Sequence, residues 1–330
     1  MIDNPLLNNA NTLPRWSDID ATHVVAAIEF LLEKSRYEIK QRLNKGVPFT
    51  WENFAQPLEE LADELNSAWA PISHLHGVKN SPELRAEYEK AQQQLTAYST
   101  EMGQNNELYQ AWQSLADSPE FNELTTAQRK MVNNELRDFT LAGVTLADDK
   151  KVIYGELKQR LSELTTNFSN KVLDATQAWF KHLPDATRLA GIPATVLPTL
   201  AQAAKARDLE GYALTLDFPC YLPVIQYCDD RELREEVYVA FSTRASKEGP
   251  GQSQWDNDDN MVAILSARQQ LAQLLGFDSY AHRSLATKMA DTPVEVMAFL
   301  QQLASSSLPV AQKDLAQLTA FAKANYGVSE

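Results

Sequence analysis

The chain has 330 residues, 44% hydrophobic and 22% charged, with a formal net charge of −14. That is enough apolar side chain to bury a large core, and length alone predicts about two domains. The acidic balance argues against nucleic acid or anionic membrane as partners, because both require a basic face and no Lys/Arg cluster supplies one locally.

Only 11 residues are glycine, about half the usual frequency, while Ala, Leu, Gln, Glu and Lys abound; the mixture predicts a mostly α protein. The longest apolar runs, such as "VVAAIEFLL" at 24–32, are short and flanked by charge, so no bilayer-spanning segment is expected. The start, "MIDNPLLNNANTLPRW", lacks the basic end and apolar stretch of a signal peptide, and a cytoplasmic location is the expectation.

In chain order, Asp20 is placed to cap a helix carrying Val24, Val25, Ile28, Leu31, Leu32, Ile39 and Leu43, which stops near Gly46. Thr50 starts a second, with Leu58, Leu61 and Leu65, expected to end before Pro71. Ser81-Pro82-Glu83 sets a cap, a first-turn proline and a carboxylate in order for a helix towards Gly103, and Ser118-Pro119-Glu120 repeats the signal. Thr125 to Gln128 reads as a capping box for a helix through Val132, Leu136 and Phe139, ending at Gly143, and Thr145 to Asp148 opens the next.

That next helix is the strongest prediction. Ile153, Leu157, Leu161, Leu164, Phe168 and Val172 step by three or four residues, a stripe kept for about 28 residues or ~40 Å. Aromatic and β-branched content then predicts a small two-stranded β element at 178–183 and 211–219, with a helix over about 194–208 between them. Helices resume after Asp229-Asp230, break at a polar loop over 247–259, and restart with "NMVAILSARQQLAQLLG". Thr292 to Glu295 is a further capping box, and Pro309 is expected to kink or break the segment that follows. The resulting organisation is an N-terminal helical region at 1–175 and a second helical region with the β element at 176–330, both parts of one continuous lobe.

Candidate chemistry is sparse. None of the five histidines, His23, His74, His76, His182 and His282, is followed by Glu in a His-Glu-x-x-His arrangement. His74 and His76 read as exposed polar residues, and His282 as a surface histidine paired with Asp278 one turn earlier. Cys220 and Cys228 have neither zinc nor disulfide-framework spacing and read as buried free thiols. The acidic runs Asp229-Asp230 and 256–259 lack an EF-hand's central glycine and terminal glutamate, and read as helix N-termini. Phosphate loops and nucleophile elbows are absent. The residues themselves assign no catalytic or metal-binding position, and the substrate-binding residues stay unknown.

Longer stretches carry more. "NPLL", "PFTWENFAQPL", "KNSPELRAEYE", "NNELRDFTLAGV", "LSELTTNFSNKVLDAT", "LEGYALTLDFPCYLPVIQYCDDRELREEVYVAFSTRAS" and "RQQLAQLLGFDSYAHRSLATKMADTP" resemble, in order and across essentially the whole chain, the thimet-oligopeptidase family of zinc metallopeptidases. The resemblance implies an almost entirely helical multi-helix N-terminal lobe, forming one wall of a channel that admits short peptides. It also implies metal-assisted peptide hydrolysis in the parent enzyme, by zinc held on a His-Glu-x-x-His helix with a downstream Glu. In the family that helix lies in the C-terminal half, and no position here matches it. The expectation is therefore a chain without its own zinc site, inactive alone, whose partner is the missing C-terminal catalytic half. The alternative is a stand-alone helical module that binds peptides or protein partners without catalysis.

Overall fold

A computed structural model describes residues 4–7 and 13–327. The N-terminal stretch read for a signal peptide lies partly outside the described residues. Contacts divide the chain into two compact units, Met1–Ala267 and Arg268–Glu330, and the expected region boundary at 175/176 falls within the first.

The first unit begins with α1 (Ala21–Leu43), where Asp20 accepts from the Thr22 amide while its own N–H donates to His23 Nδ1 at 3.1 Å. A π turn at Trp51–Ala55 leads into α2 (Gln56–Val78), and Ser81 caps α3 (Pro82–Gly103) by accepting from Leu84 N. Helix α2 does not stop before Pro71 as expected. Ala68 and Ile72, both fully buried, lock that turn into the core with Val24, Ile28 and Leu31 of α1. Each large buried chain contributes roughly 1.5–3 kcal/mol, which offsets the ~3 kcal/mol cost of an interior proline.

A second cluster joins Phe54 to α4 (Asn106–Ala116) and α5 (Thr126–Leu141) through Trp112, Leu115, Val132 and Phe139. Thr125 and Gln128 form the expected capping box. The Ser118-Pro119-Glu120 signal yields only a 3-10 turn, Pro119–Asn122, and Glu120 Oε1 accepts instead from Trp51 N at 2.9 Å.

Helix α6 (Asp148–Ala178) is the predicted long helix, but its cap and its stripe differ from the reading. Ala147 holds the N-cap without a side-chain bond, and Asp148 and Asp149 in the first turn complement the dipole instead. Tyr154 and Leu157 are buried while Ile153 is 45% exposed. The contact with α3 is largely polar: Thr96 donates to Ser162 Oγ at 2.9 Å, Asn170 Nδ2 to Glu89 Oε1 at 2.8 Å, and Arg85 to Asp174.

The β element forms as expected, with β1 (Phe180–Leu183) antiparallel to β2 (Tyr212–Thr215), Phe180 opposite Thr215 and Leu183 opposite Tyr212. Gly211, at φ +84°, leads into β2; a Cβ there would meet Leu183 O at 2.4 Å, so only glycine fits. Helix α7 (Leu197–Lys205) connects the strands. The stretch read as strand to 219 turns helical at Phe218, where α8 (Phe218–Tyr227) begins with Pro219 in its first turn. With α9 (Arg231–Ser242), capped by Asp230, it encloses a third cluster of Leu200, Leu214, Val224, Leu233 and Val237.

The polar loop at 247–259 is anchored to α6. Lys171 Nζ donates to Asp256 O at 2.7 Å, and Asn257 and Asn260 donate to Phe168 O and Leu164 O at the N-terminal end of α10 (Asp258–Leu274).

In the second unit, α10 ends with Gly276 at φ +84° and Phe277 N donating back to Ala272 O. Then come α11 (Tyr280–Leu285) and α12 (Pro293–Tyr326). Thr292 caps α12, and the helix continues through Pro309, where a kink or break was expected. Every described residue around that proline is exposed, so the carbonyl it leaves unpaired is open to water, which lowers the cost of an uninterrupted helix.

Candidate functional site

The five histidines do not converge: His74 and His76 share α2, and the other three lie on α1, β1 and α11. His23 completes the α1 capping box. His74 is exposed and meets Trp16 edge-on at 5.5 Å, whereas His76, expected at the surface, is buried. Its ring lies flat on Tyr88 with centroids 4.0 Å apart, and burial lowers its pKa. His182 bonds Glu210 O at 2.8 Å beside the strands, and His282 Nδ1 pairs with Ser279 Oγ at 2.9 Å, not with the expected Asp278. Asp278 instead offers its backbone carbonyl to Gln269 Nε2.

Both cysteines are free and buried. Cys220 Sγ accepts from Thr215 N and Cys228 Sγ donates to Arg188 O; burial pushes both thiols up, away from thiolate. The acidic runs serve helix starts: Asp230 caps α9 and is lowered to about 2, chiefly by Arg188 at 2.5 Å, while Asp258 and Asp259 lie in the first turn of α10. Of the charged groups at 268–293, Arg268 covers the Tyr280 ring at 5.0 Å and Lys288 Nζ donates to Ser284 O.

The first unit holds a cleft of about 690 Å³ between α2, α3 and α5, with α1, α4 and α6 reaching its edges. Leu58, Leu61, Leu65, Trp69, Leu95 and Trp112 give it apolar walls. Glu135 of α5 lines it, together with Glu59, Asp138 and Lys158. Burial raises the Glu135 pKa to about 7; Glu59 and Asp138 add to the rise and Arg137 opposes it. Sequence reading passed over this residue, although Glu135 stands three after Val132 and four before Phe139, on the buried face of its helix. A large apolar pocket holding a perturbed carboxyl is the usual form of a ligand site.

Residues 28–151, which run from α1 into α6, match the Neurolysin/Thimet oligopeptidase N-terminal domain, and residues 224–330, from α8 onwards, match Peptidase family M3. The chain is also 50% identical over 327 residues to Oligopeptidase A of Escherichia coli, covering 99% of this chain and 48% of that protein. The chain belongs to the thimet oligopeptidase family, peptidase family M3. Other members give the same picture. Oligopeptidase A of Haemophilus influenzae is 46% identical over 329 residues, 100% of this chain and 48% of that protein. The probable cytosolic oligopeptidase A of Arabidopsis thaliana is 37% identical over 334 residues, 99% and 46% respectively. This M3 chain thus spans about half the length of the curated relatives it matches.

Family M3 implies a metal in the full-length enzyme. The described side chains do not fit one. The sequence has no His-Glu-x-x-His pair, and among the described residues no group of three or more His, Cys, Asp or Glu could hold an ion.

Proposed function

We propose that this chain is the part of a zinc-dependent oligopeptidase that walls the channel for short peptides, and that alone it neither holds catalytic zinc nor cleaves peptides. Collinear identity of 46–50% with oligopeptidases A from end to end of this chain, over about half of each relative, carries the reading. Zinc and the proton-transfer glutamate then belong to the C-terminal catalytic half, which is this chain's partner, and a cytoplasmic location goes with the reading. The helical regions at 1–175 and 176–330 belong to one lobe of that enzyme.

Helix α12 gives the reading a physical counterpart. Leu300, Leu303, Leu315, Leu318 and Phe321 are each about half exposed or more, and exposed apolar side chains gathered on one side of a helix are a mark of an interface. Among the described residues no helix is long and apolar enough to cross a membrane.

The test is reconstitution. Alone, the chain should retain no stoichiometric zinc after dialysis and show no turnover of a fluorogenic peptide; mixed with the C-terminal half of an oligopeptidase A, it should restore turnover. One tightly held zinc per chain, with hydrolysis by the chain alone, would overturn the proposal.

A further inference from the structure

The cleft between α2, α3 and α5 has a chemistry that the peptidase reading does not use. Its walls are mostly apolar, with Ser35, Asn66, Gln92, Thr96 and Ser99 among them, and its charged lining groups are three carboxylates, Glu59, Glu135 and Asp138, and one ammonium, Lys158. Arg137 is committed to Asp138, with Nε donating to Oδ1 at 2.8 Å and Nη2 to Oδ2 at 3.1 Å. Tyr98 of α3 is the other titratable group in the lining, and α1 and α4 present no charged side chain to it.

We propose that this cleft binds a small amphipathic amine, with its ammonium against Glu135 and Glu59 and its apolar body between Leu61, Leu65, Trp69 and Trp112. Glu59 and Asp138 line the same cleft as Glu135 and disfavour its ionised form, and a cation placed there relieves that repulsion while the walls remove its body from water. An anionic ligand would add to the repulsion, and a neutral one would desolvate the carboxylates without compensation. The volume is within the ~300–1,000 Å³ of small-molecule sites. Nothing in this inference depends on the peptidase reading.

Protons report the binding. Glu135, raised to about 7, holds a proton in a large share of molecules at neutral pH, and an ammonium beside it favours the ionised form. Binding of the cation should therefore release a proton, and its affinity should rise with pH.

The experiment is isothermal titration of the full chain with 2-phenylethylamine and with the isosteric, uncharged 2-phenylethanol. A primary amine stays protonated from about pH 6 to about pH 8. The amine is expected to bind about ten-fold more tightly than the alcohol at the higher pH. That advantage should shrink several-fold at the lower pH, and the binding enthalpy should vary with the ionisation enthalpy of the buffer. Glu135→Gln, which mimics the neutral carboxyl, should erase the amine's advantage and its pH dependence while leaving alcohol binding intact. Ala62→Trp, at an exposed cleft-lining position on α2, should block both ligands without changing the melting curve. Equal binding of amine and alcohol, an advantage that survives Glu135→Gln, or no heat from the amine at about millimolar concentration overturns the proposal.

Discussion

Arg85 on α3 grips Asp174 on α6 with both arms of its guanidinium, Nη1 to Oδ2 at 2.8 Å and Nη2 to Oδ1 at 2.5 Å. The two side chains are 25% and 32% exposed, shielded enough for the fork to matter more than a surface pair does. With Glu89–Asn170 and Thr96–Ser162 it makes a polar ladder where the sequence suggested an apolar seam. Asp174→Ala, which leaves the guanidinium half-buried without its partner, should cost about 1–3 kcal/mol. Arg85→Lys, keeping the charge but losing the fork, should cost less. Urea denaturation would show the midpoints falling at constant slope; unchanged midpoints would mean the ladder is energetically idle.

Glu135 predicts a pH dependence of the opposite sign to that of a salt-bridged carboxylate. Its folded pKa is raised from 4.5 to about 7, so the folded chain binds the extra proton between those values. The stability it contributes is fully present below about pH 4.5 and is lost as pH rises through about 7. The loss should be of order 2–3 kcal/mol. Glu135→Gln should therefore melt higher than the parent at about pH 8, and the gap should close towards about pH 5. A constant gap across that range would rule out titration of Glu135.

The two thiols should be inert in the folded chain. Cys220 and Cys228 are 3% and 2% exposed, and burial raises both pKa values, so thiolate and access are both scarce. Maleimide labelling followed by mass spectrometry should give little adduct under native conditions and two adducts in urea. Rapid labelling of either cysteine in the native state would show that the α8–α9 cluster opens readily.

The capped and strongly patterned elements were legible in the sequence. Asp20, Ser81, Thr125 and Thr292 each hold the helix start assigned to them, because a cap is local chemistry. The β pair was also legible, from aromatic and β-branched content. Pro71 and Pro309 misled, since the rule that proline ends a helix is overridden by burial at one position and by water access at the other. His76 was read as exposed because nothing in "HLHG" announces Tyr88, twelve residues on, as its stacking partner. Glu135 is the instructive omission. Its place on the buried face could be read from Val132 and Phe139, but the cleft that raises its pKa is assembled by α2 and α3, from beyond its own helix.

Helix α12 predicts the solution behaviour of the chain. Leu308, Ala311, Leu315, Leu318 and Ala322 step by three and four residues along one side, and Leu315 and Leu318 are each 64% exposed. Burying such a stripe against another copy removes apolar surface from water at about 25 cal/mol per Å². The chain alone should therefore show concentration-dependent association in sedimentation velocity. Leu315→Glu combined with Leu318→Glu sets two carboxylates in that stripe and should abolish the association. Because both side chains are exposed, the change in thermal stability should stay within about 0.5 kcal/mol. The same pair of substitutions should also impair reconstitution with the C-terminal half, if that half is what covers α12. A chain that sediments as a monomer at every concentration, with reconstitution untouched by the substitutions, would remove α12 from both roles.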